Sequence, residues 1–323
     1  MKPIHLTREP EKEGDNAENL KKNIIHSAPL PMISLEELFC QIDDFCQSFE
    51  PQWRTVLLGN GLKHRQRHRA LSLSEIMTIL VSFHQQSYRN FKHFYEKHVC
   101  VNWRCAFPGV PSYQRFIDWM PSSLMPLCVY LKQCFGTCSG ISFIDATSLK
   151  VCHNRRISSH RVFEHLAARG KTSVDWFFGF KLHVVVNEHG ELLNFTLTPG
   201  NTDDRKPVTE LLKECFGKVF ADRGYVSKKL AGQLLEDFGI TFFAKPKRNM
   251  KNQLMRLTDK LMSRKRSIIE TIIDQFKNIS QIEHSRHRSP INFLVNVVCG
   301  LIAYCHQPKK PSLKMDWALP PAA

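Results

Sequence analysis

The sequence predicts an α/β fold: a mixed five-stranded sheet flanked by helices and preceded by an all-helical N-terminal domain. Two observations support it. From about residue 33 to 137 apolar residues recur at helical spacing, whereas from 138 onward short apolar runs bounded by turn residues alternate with helical segments. Three consecutive strands followed by alternating helices and strands give a sheet with both antiparallel and parallel pairs.

Length and segment composition suggest how this chain is divided. A chain of 323 residues is long enough for two domains. Residues 1–31 are polar and mix both charge signs, which predicts a flexible extension. We expect a helical domain at 32–137, an α/β domain at 138–306 and a C-terminal tail at 307–323.

Charge and cysteine content narrow the class of protein. The formal net charge is +15, and strongly basic proteins most often bind a polyanion, so nucleic acid is the leading partner. The eleven cysteines include no C-x-x-C pair and no signal peptide is recognisable, which predicts reduced thiols in a cytoplasm rather than disulfides or structural zinc. The longest apolar run, at 291–305, is too short to span a membrane.

The helical region contains one predicted DNA contact. In LSLSEIMTILVSF, Ser72 and Glu75 fit a capping box at a helix start. In PGVPSYQRFIDWM, a turn leads to Ser112 as a helix cap, leaving Gln114 and Arg115 in the first turn, where a helix-turn-helix protein contacts DNA. The alternative is an ordinary bundle helix. The basic run KHRQRHR at 63–69 is either a solvated loop or a phosphate clamp.

The second half contains five predicted strands and four predicted helices. The EHGE turn between the second and third strands predicts a hairpin. The strands are ISFIDATSLKV (141–151), WFFGFKLHVVVN (176–187), LLNFTLTPG (192–200), KVFADRGY (218–225) and ITFFAKPK (240–247), and the helices span about 203–215, 227–239, 255–281 and 290–305.

Three acids stand where a metal site is expected. Asp145 lies inside an otherwise apolar strand, where an unpaired charge costs several kcal/mol, and Asp222 lies near the end of another. If these two strands are neighbours, both carboxylates emerge at one edge. Glu270, on the helix RKRSIIETIIDQFK, shares a face with Arg266 and Lys277 at spacings of four and seven.

An oxygen-only set of ligands favours a hard divalent cation, Mg²⁺ or Mn²⁺. Two such ions support phosphoryl transfer on DNA, and the metals would relieve the repulsion among Asp145, Asp222 and Glu270. Arg266 and Lys277 would then hold phosphates. The segment 245–266 carries nine Lys and Arg residues and one acid, Asp259, which predicts a track for a DNA backbone.

Each acid also has a structural interpretation. Asp145 could cap a turn with Thr147 and Ser148, Asp222 could pair with Arg223, and Glu270 could pair with Arg266. Four other polar residues have weaker signals: His183 is interpreted as a core histidine, Asp203 and Asp204 as a helix cap, and Lys171 as either a DNA contact or a solvated side chain.

With these motifs in order, the sequence resembles a DDE transposase with a ribonuclease-H-like catalytic domain, and most closely the bacterial insertion sequence 982 family. The resemblance covers about residues 33–306. The third acid of related transposases lies in a Y-x2-R-x3-E-x6-K arrangement, which Arg266, Glu270 and Lys277 fit, with Ser263 at the tyrosine position. The matching pieces are LSLSEIMTIL, PSYQRF, FIDATSLKV, GFKLHVVVNEHGEL, PGNTDDRKP, FADRGY and RSIIETIIDQFK.

The resemblance implies metal-dependent cleavage at the ends of a mobile element, which releases a 3′ hydroxyl that attacks target DNA. Its partners would be double-stranded DNA, as terminal inverted repeats and target, and a second copy in a synaptic dimer at the bacterial nucleoid. Three alternatives stay open: another metal-dependent nuclease, such as a structure-selective endonuclease; a DNA-binding relic that no longer transposes; and an RNA-binding protein.

Overall fold

The computed structural model describes residues 33–61, 69–86, 88–172, 175–246, 250, 254–283 and 287–313. Several sequence predictions fall wholly or partly outside these residues. They are the extension at 1–31, the basic run at 63–69 except for Arg69, the end of the fifth predicted strand at 247, positions 247–249 and 251–253 of the basic segment 245–266, and the part of the C-terminal tail at 314–323.

Helices form the N-terminal region, as predicted. The capping box at Ser72 and Glu75 is confirmed, since each side chain accepts a backbone N–H from the other residue. Ser112 occupies the N-cap position of its helix but makes no side-chain capping bond. The helices are α1 (Leu35–Gly59), α2 (Leu73–Phe83), α3 (Phe91–Phe94), α4 (Cys100–Asn102), α5 (Tyr113–Trp119) and α6 (Leu124–Gln133), with a π-helical turn at Tyr95–Val99 and a 3₁₀ turn at Met120–Ser123.

A six-stranded mixed sheet follows. Strand β3 pairs antiparallel with β1, β2 and β4, whereas β1 pairs parallel with β5 and β5 with β6. The order is β2-β3-β1-β5-β6, and β4 shares the outer edge of β3 with β2. The strands are β1 (Ile141–Cys152), β2 (Ala168–Lys171), β3 (Trp176–Asn187), β4 (Leu192–Pro199), β5 (Lys218–Ala221) and β6 (Thr241–Ala244).

Strand β2 is the element that the five-strand prediction lacks. Its sequence, Ala-Arg-Gly-Lys, has neither an apolar run nor alternation, so nothing local marks it as a strand. It forms because the first residues of β3, Trp176 to Gly179, offer an edge beyond the reach of β4. Pairing with that edge, rather than propensity, defines β2.

Two predicted helices are shorter than expected. The helix predicted at 203–215 is reduced to α7 (Val208–Leu211), because the Asp203 side chain accepts the Arg205 N–H and turns the chain before Pro207. The helix predicted at 255–281 is two helices, α9 (Leu257–Lys265) and α10 (Ser267–Asn278), joined at Arg266. Helices α8 (Lys228–Phe238) and α11 (Pro290–Cys305) lie where predicted.

Buried side chains cover both faces of the sheet. One face packs under α10 and α11 through residues such as Phe143, Val184 and Ile272, and the same apolar cluster continues into α1 and α2. The other face packs under α7 and α8 through Ile144 and Val219. Each fully buried aliphatic side chain contributes about 1.5–3 kcal/mol, so these layers hold the sheet rigid beneath the site. The proposed domain boundaries stay predictions.

This architecture confirms the α/β prediction and is consistent with a ribonuclease-H-like fold. A three-stranded antiparallel unit extends through two parallel strands, with helices on both faces and a helical region before it. Within the described ranges, no helix has the length and apolar character needed to cross a membrane.

Candidate active site

The pairing of β1 with β5 brings two acids together. Their parallel register runs from Ile141 beside Lys218 to Ile144 beside Ala221. The next residue on each strand is an acid, so Asp145 and Asp222 follow the last registered pair on adjacent strands. The condition set by the sequence, that the two strands be neighbours, is met.

Arg266 gathers these acids with a third one. It occupies the junction between α9 and α10, where its backbone φ of −51° and ψ of −23° ends one helix and begins the next. Its Nη1 lies 3.1 Å from Oδ2 of Asp145, and its Nη2 lies 3.5 Å from Oδ1 of Asp222. The same Nη2 lies 2.5 Å from Oε1 of Glu270, one turn further along α10. Three carboxylates from three elements therefore share one guanidinium.

Burial is uneven across this cluster. The side chains of Arg266 and Asp145 are only 12% and 20% exposed, whereas those of Asp222 and Glu270 reach solvent. Burial raises the pKa of Asp145 to about 6 and the charge of Asp222 adds to the rise, while the Ala146 N–H and Arg266 oppose it. Three acids against one base leave an excess of two negative charges when all are ionised.

The chemistry of these side chains fits a hard divalent cation, because all three acids offer only oxygen ligands. Their present arrangement is centred on the guanidinium instead. Across the described part of the chain, no group of three or more His, Cys, Asp or Glu side chains is placed to hold a metal ion. Asp145, Asp222 and Glu270 would hold such an ion only after turning away from Arg266.

The other predicted site residues lie apart from this cluster. The Lys277 Nζ is 3.0 Å from Oε2 of Glu283, whose other oxygen accepts the Lys150 N–H at 3.2 Å. Lys277 thus ties the end of α10 to β1. Gln114 and Arg115 are exposed on α5, with the Gln114 amide donating to Asp118 at 3.3 Å. Their predicted DNA contacts stay predictions.

The structural alternatives have mixed outcomes. Glu270 does pair with Arg266, as its structural interpretation expected, while Asp222 has its ion pair with Arg266 rather than Arg223. Asp145 accepts the N–H of Ala146 at 2.8 Å and not a bond from Thr147 or Ser148. The arrangement combines both interpretations, because one ion-pair network assembles all three acids.

The structure also tests the interpretations of His183, Asp203 and Asp204. His183 is a buried histidine whose Nε2 lies 2.8 Å from the Thr198 hydroxyl, as expected for a core position. Asp203 caps a turn through the Arg205 N–H rather than a helix. Asp204 instead binds the Lys181 ammonium at 2.8 Å.

Sequence reasoning missed Tyr225, which lies against the acids. The side chain is buried, and its hydroxyl has no hydrogen-bond partner among the described residues. Burial raises its pKa, and the charges of Asp145, Asp204 and Asp222 raise it further. The signal was its position three residues after Asp222, in the 3₁₀ turn Arg223–Tyr225 that leads away from β5.

An α/β sheet with one acid inside a strand, a second just after the neighbouring parallel strand and a third on a covering helix is the arrangement expected of a DDE-type nucleic-acid enzyme. Comparison with protein families agrees: residues 135–290 match the family described as Transposase DDE domain. The matched range contains the three acids and Arg266, and it supports a DDE transposase. Among curated proteins, none matches the chain.

Proposed function

We propose that this protein is a transposase of the insertion sequence 982 type. It cleaves insertion-sequence ends in the presence of Mg²⁺ or Mn²⁺ and transfers the released 3′ hydroxyl into target DNA. The observation that carries the proposal is the meeting of Asp145, Asp222 and Glu270 at Arg266, from elements separated by up to 125 residues. The excess of two negative charges at that point favours the binding of divalent cations.

The three acids act as metal ligands and not as nucleophiles. Asp145, Asp222 and Glu270 would hold the divalent cations, which would supply activation of the attacking hydroxyl and stabilisation of the leaving oxygen. Asp145 and Asp222 are fixed by the strand register, whereas Glu270 is carried by α10. Arg266 compensates the acids until cations bind, and its guanidinium is then free to hold a phosphate as a two-pronged donor.

DNA binding involves the rest of the chain. The net charge of +15 suits a polyanion, and we assign the element ends to Gln114 and Arg115 in the helical region. Lys277 adds a phosphate contact once it leaves Glu283. Joining two ends requires both to be held together, so the active species is a homodimer in a synaptic complex. This assembly works on double-stranded DNA at the nucleoid of a bacterial cytoplasm.

Strand transfer tests the proposal. A labelled, pre-cleaved element end is incubated with a supercoiled target plasmid and Mn²⁺ or Mg²⁺. We expect joined products from the wild-type chain and none from Asp145→Ala or Glu270→Ala, while most DNA affinity is kept in both variants. Wild-type joining by either variant would remove the acids from the mechanism.

A metal-dependent endonuclease on the same fold is the second candidate, since it would use the same acids. Cutting of branched or uncleaved DNA without joining would favour it. A DNA-binding relic without chemistry predicts neither cutting nor joining, with intact affinity for DNA. The three carboxylates around one arginine argue against a relic. Repulsion among them lowers the unfolding free energy, which is unfavourable for a protein that does not use them.

A further inference from the structure

A cleft of about 490 Å³ opens beside the acid cluster. Its walls are strand β2, the first residue of β3 and the loop from Gly200 to Arg205, together with Gly224. Because Gly224 follows Asp222 by two residues, the cleft and the acids share one turn. Its volume falls within the range of about 300–1,000 Å³ that is typical of sites for small ligands.

An exposed tryptophan lies in the cleft. Trp176 begins β3 and is 46% exposed. In the β2–β3 register it lies opposite Lys171. The Lys171 ammonium lies 5.6 Å and the Arg169 guanidinium 5.4 Å from the centre of its ring. Arg169 and Lys171 are two residues apart on one strand, so both project from the same face.

These two cations differ from the others that line the cleft. Lys181 is 2.8 Å from the carboxylate of Asp204, and Arg205 is 2.5 Å from that of Asp203. Arg169 and Lys171 have no ion pair among the residues that the structure describes. Two positive charges without a carboxylate partner therefore lie over one aromatic ring, in cation–π contact with it.

The floor of the cleft is held tightly. A side chain at Gly170 would overlap the carbonyl oxygen of Gly200, and one at Gly200 would crowd the buried ring of Phe177. The backbones of β2 and the following loop thus approach as closely as glycine allows. Trp176 therefore belongs to a paired strand whose backbone is closely packed, and not to a loop.

We infer that this cleft binds an unpaired segment of the DNA strand whose phosphate is held at the acid cluster. The inference rests on the proposed function and adds the conformation of its substrate. Arg169 and Lys171 move from the Trp176 ring to the phosphates on either side, which uncovers the ring to stack on a base. The base is unpaired, because the faces of bases inside a duplex are covered by their neighbours and offer nothing to a tryptophan ring.

Binding measured without divalent metal tests the inference separately from catalysis. The probes are a fluorescein-labelled 12-nucleotide single strand and the blunt duplex of the same sequence, followed by fluorescence anisotropy. Trp176→Ala is expected to weaken single-strand binding about 10- to 100-fold and to change duplex binding less than about twofold. Trp176→Phe keeps a stacking ring and should retain most of the affinity.

Matched controls separate stacking from charge. Trp119→Phe alters another tryptophan with a nearby cation, Arg69, outside the cleft, and Lys132→Ala removes an exposed charge on α6. Both should leave the preference for single strands unchanged. The double variant Arg169→Ala with Lys171→Ala should reduce the salt dependence of single-strand binding, by about 1.4 in the slope of log affinity against log salt.

Two results would overturn the inference. One is an equal loss of single-strand and duplex binding in Trp176→Ala, which would make the cleft a general contact for DNA backbone. The other is unchanged single-strand binding. A 2-aminopurine base in the single strand should lose fluorescence on binding to the wild-type chain and not to Trp176→Ala. If Asp145→Ala still joins DNA while these results hold, the catalytic assignment fails and the cleft remains.

Discussion

Two ion-pair sites attach the α9–α10 segment to opposite ends of strand β5, and they differ in charge balance. At the start of β5, the Lys218 ammonium lies 2.6 Å from the carboxylate of Asp259, whose side chain is only 8% exposed. Beyond the other end of β5, Arg266 forms ion pairs with Asp145, Asp222 and Glu270. One site matches a base with an acid, and the other gathers three acids around a single base.

This difference separates a structural contact from a functional one. A buried acid with one partner is satisfied, so Asp259 needs nothing further and serves to position α9. A cluster with excess negative charge stays unfavourable unless a cation arrives. Clusters that lower the folding stability in this way are commonly functional, because the binding of a ligand of opposite charge stabilises them.

The largest effect is expected from Asp145→Asn, which keeps the shape and removes one charge. DNA cleavage with Mg²⁺ or Mn²⁺ should fall about 10³-fold, since a lost metal ligand removes several kcal/mol of transition-state stabilisation. The unfolding free energy in metal-free buffer should be unchanged or higher, because repulsion with Asp222 is relieved. Gel assays of end cleavage and urea unfolding measure the two quantities. A large loss of stability would make the cluster structural, like the Asp259 pair.

Arg266→Gln tests the other half of the same cluster. Without metal, the unfolding free energy should fall by about 2 kcal/mol, because Asp145, whose side chain is only 20% exposed, loses its cationic partner. Calorimetric titration should show Mn²⁺ binding about tenfold tighter, since the metal no longer competes with a guanidinium. Arg264→Gln, an exposed arginine on α9, is the control and should change neither quantity. Weaker Mn²⁺ binding by Arg266→Gln would contradict the role given to this arginine.

A buried histidine that is neutral in the folded protein should make the unfolding free energy depend on pH. His84 is fully buried and donates from Nδ1 to the Ser280 carbonyl at 2.5 Å, and burial lowers its pKa to about 4. Since the unfolded chain binds this proton near pH 6.5, stability is complete above pH 6.5 and falls as the pH drops toward 4. Between pH 6.5 and 5 the loss from this one group should be about 2 kcal/mol.

Urea unfolding of wild type and His84→Gln at pH 7 and pH 5 measures that contribution. The variant should lose less stability on acidification than the wild type, with the difference assigned to His84. His287, whose pKa burial also lowers to about 4, contributes in the same direction and remains in both proteins. Identical losses in the two proteins would remove His84 as a source of the pH dependence.

The smallest effect is expected at the balanced pair. Asp259→Asn should lower the unfolding free energy by about 1 kcal/mol, because a charge-assisted hydrogen bond becomes a neutral one and Lys218 can turn to solvent. DNA cleavage, assayed well below the unfolding temperature, should remain at the wild-type rate. A loss of cleavage comparable with that of Asp145→Asn would end the distinction between the two sites.

Much of the site could be predicted from the sequence, because its key features are local. An acid within or just after an apolar strand is visible in Phe143-Ile144-Asp145 and in Phe220-Ala221-Asp222. The spacing of Arg266 and Glu270 likewise predicts contact on a helix, and the two do meet. Alternation, capping residues and turn signals depend on near neighbours, so they survive without knowledge of the fold.

Other parts depended on packing between distant segments. The break at Arg266 places its guanidinium among the acids, 121 residues along the chain from Asp145. Lys277 shares a helix with Glu270, yet its partner is Glu283, beyond the end of that helix. Asp259, one acid in a basic run, gave no sign that it would be buried against Lys218.

The sequence by itself determined every described strand except β2, most of the helices and the position of each acid on its element, because hydrophobic periodicity requires only the order of residues. The tertiary structure alone decided which charges meet, that β2 forms, and that Trp176 stands exposed against Arg169 and Lys171. The physical reason is that an ion pair or a cleft depends on distances of a few ångströms, which are set only when whole layers pack.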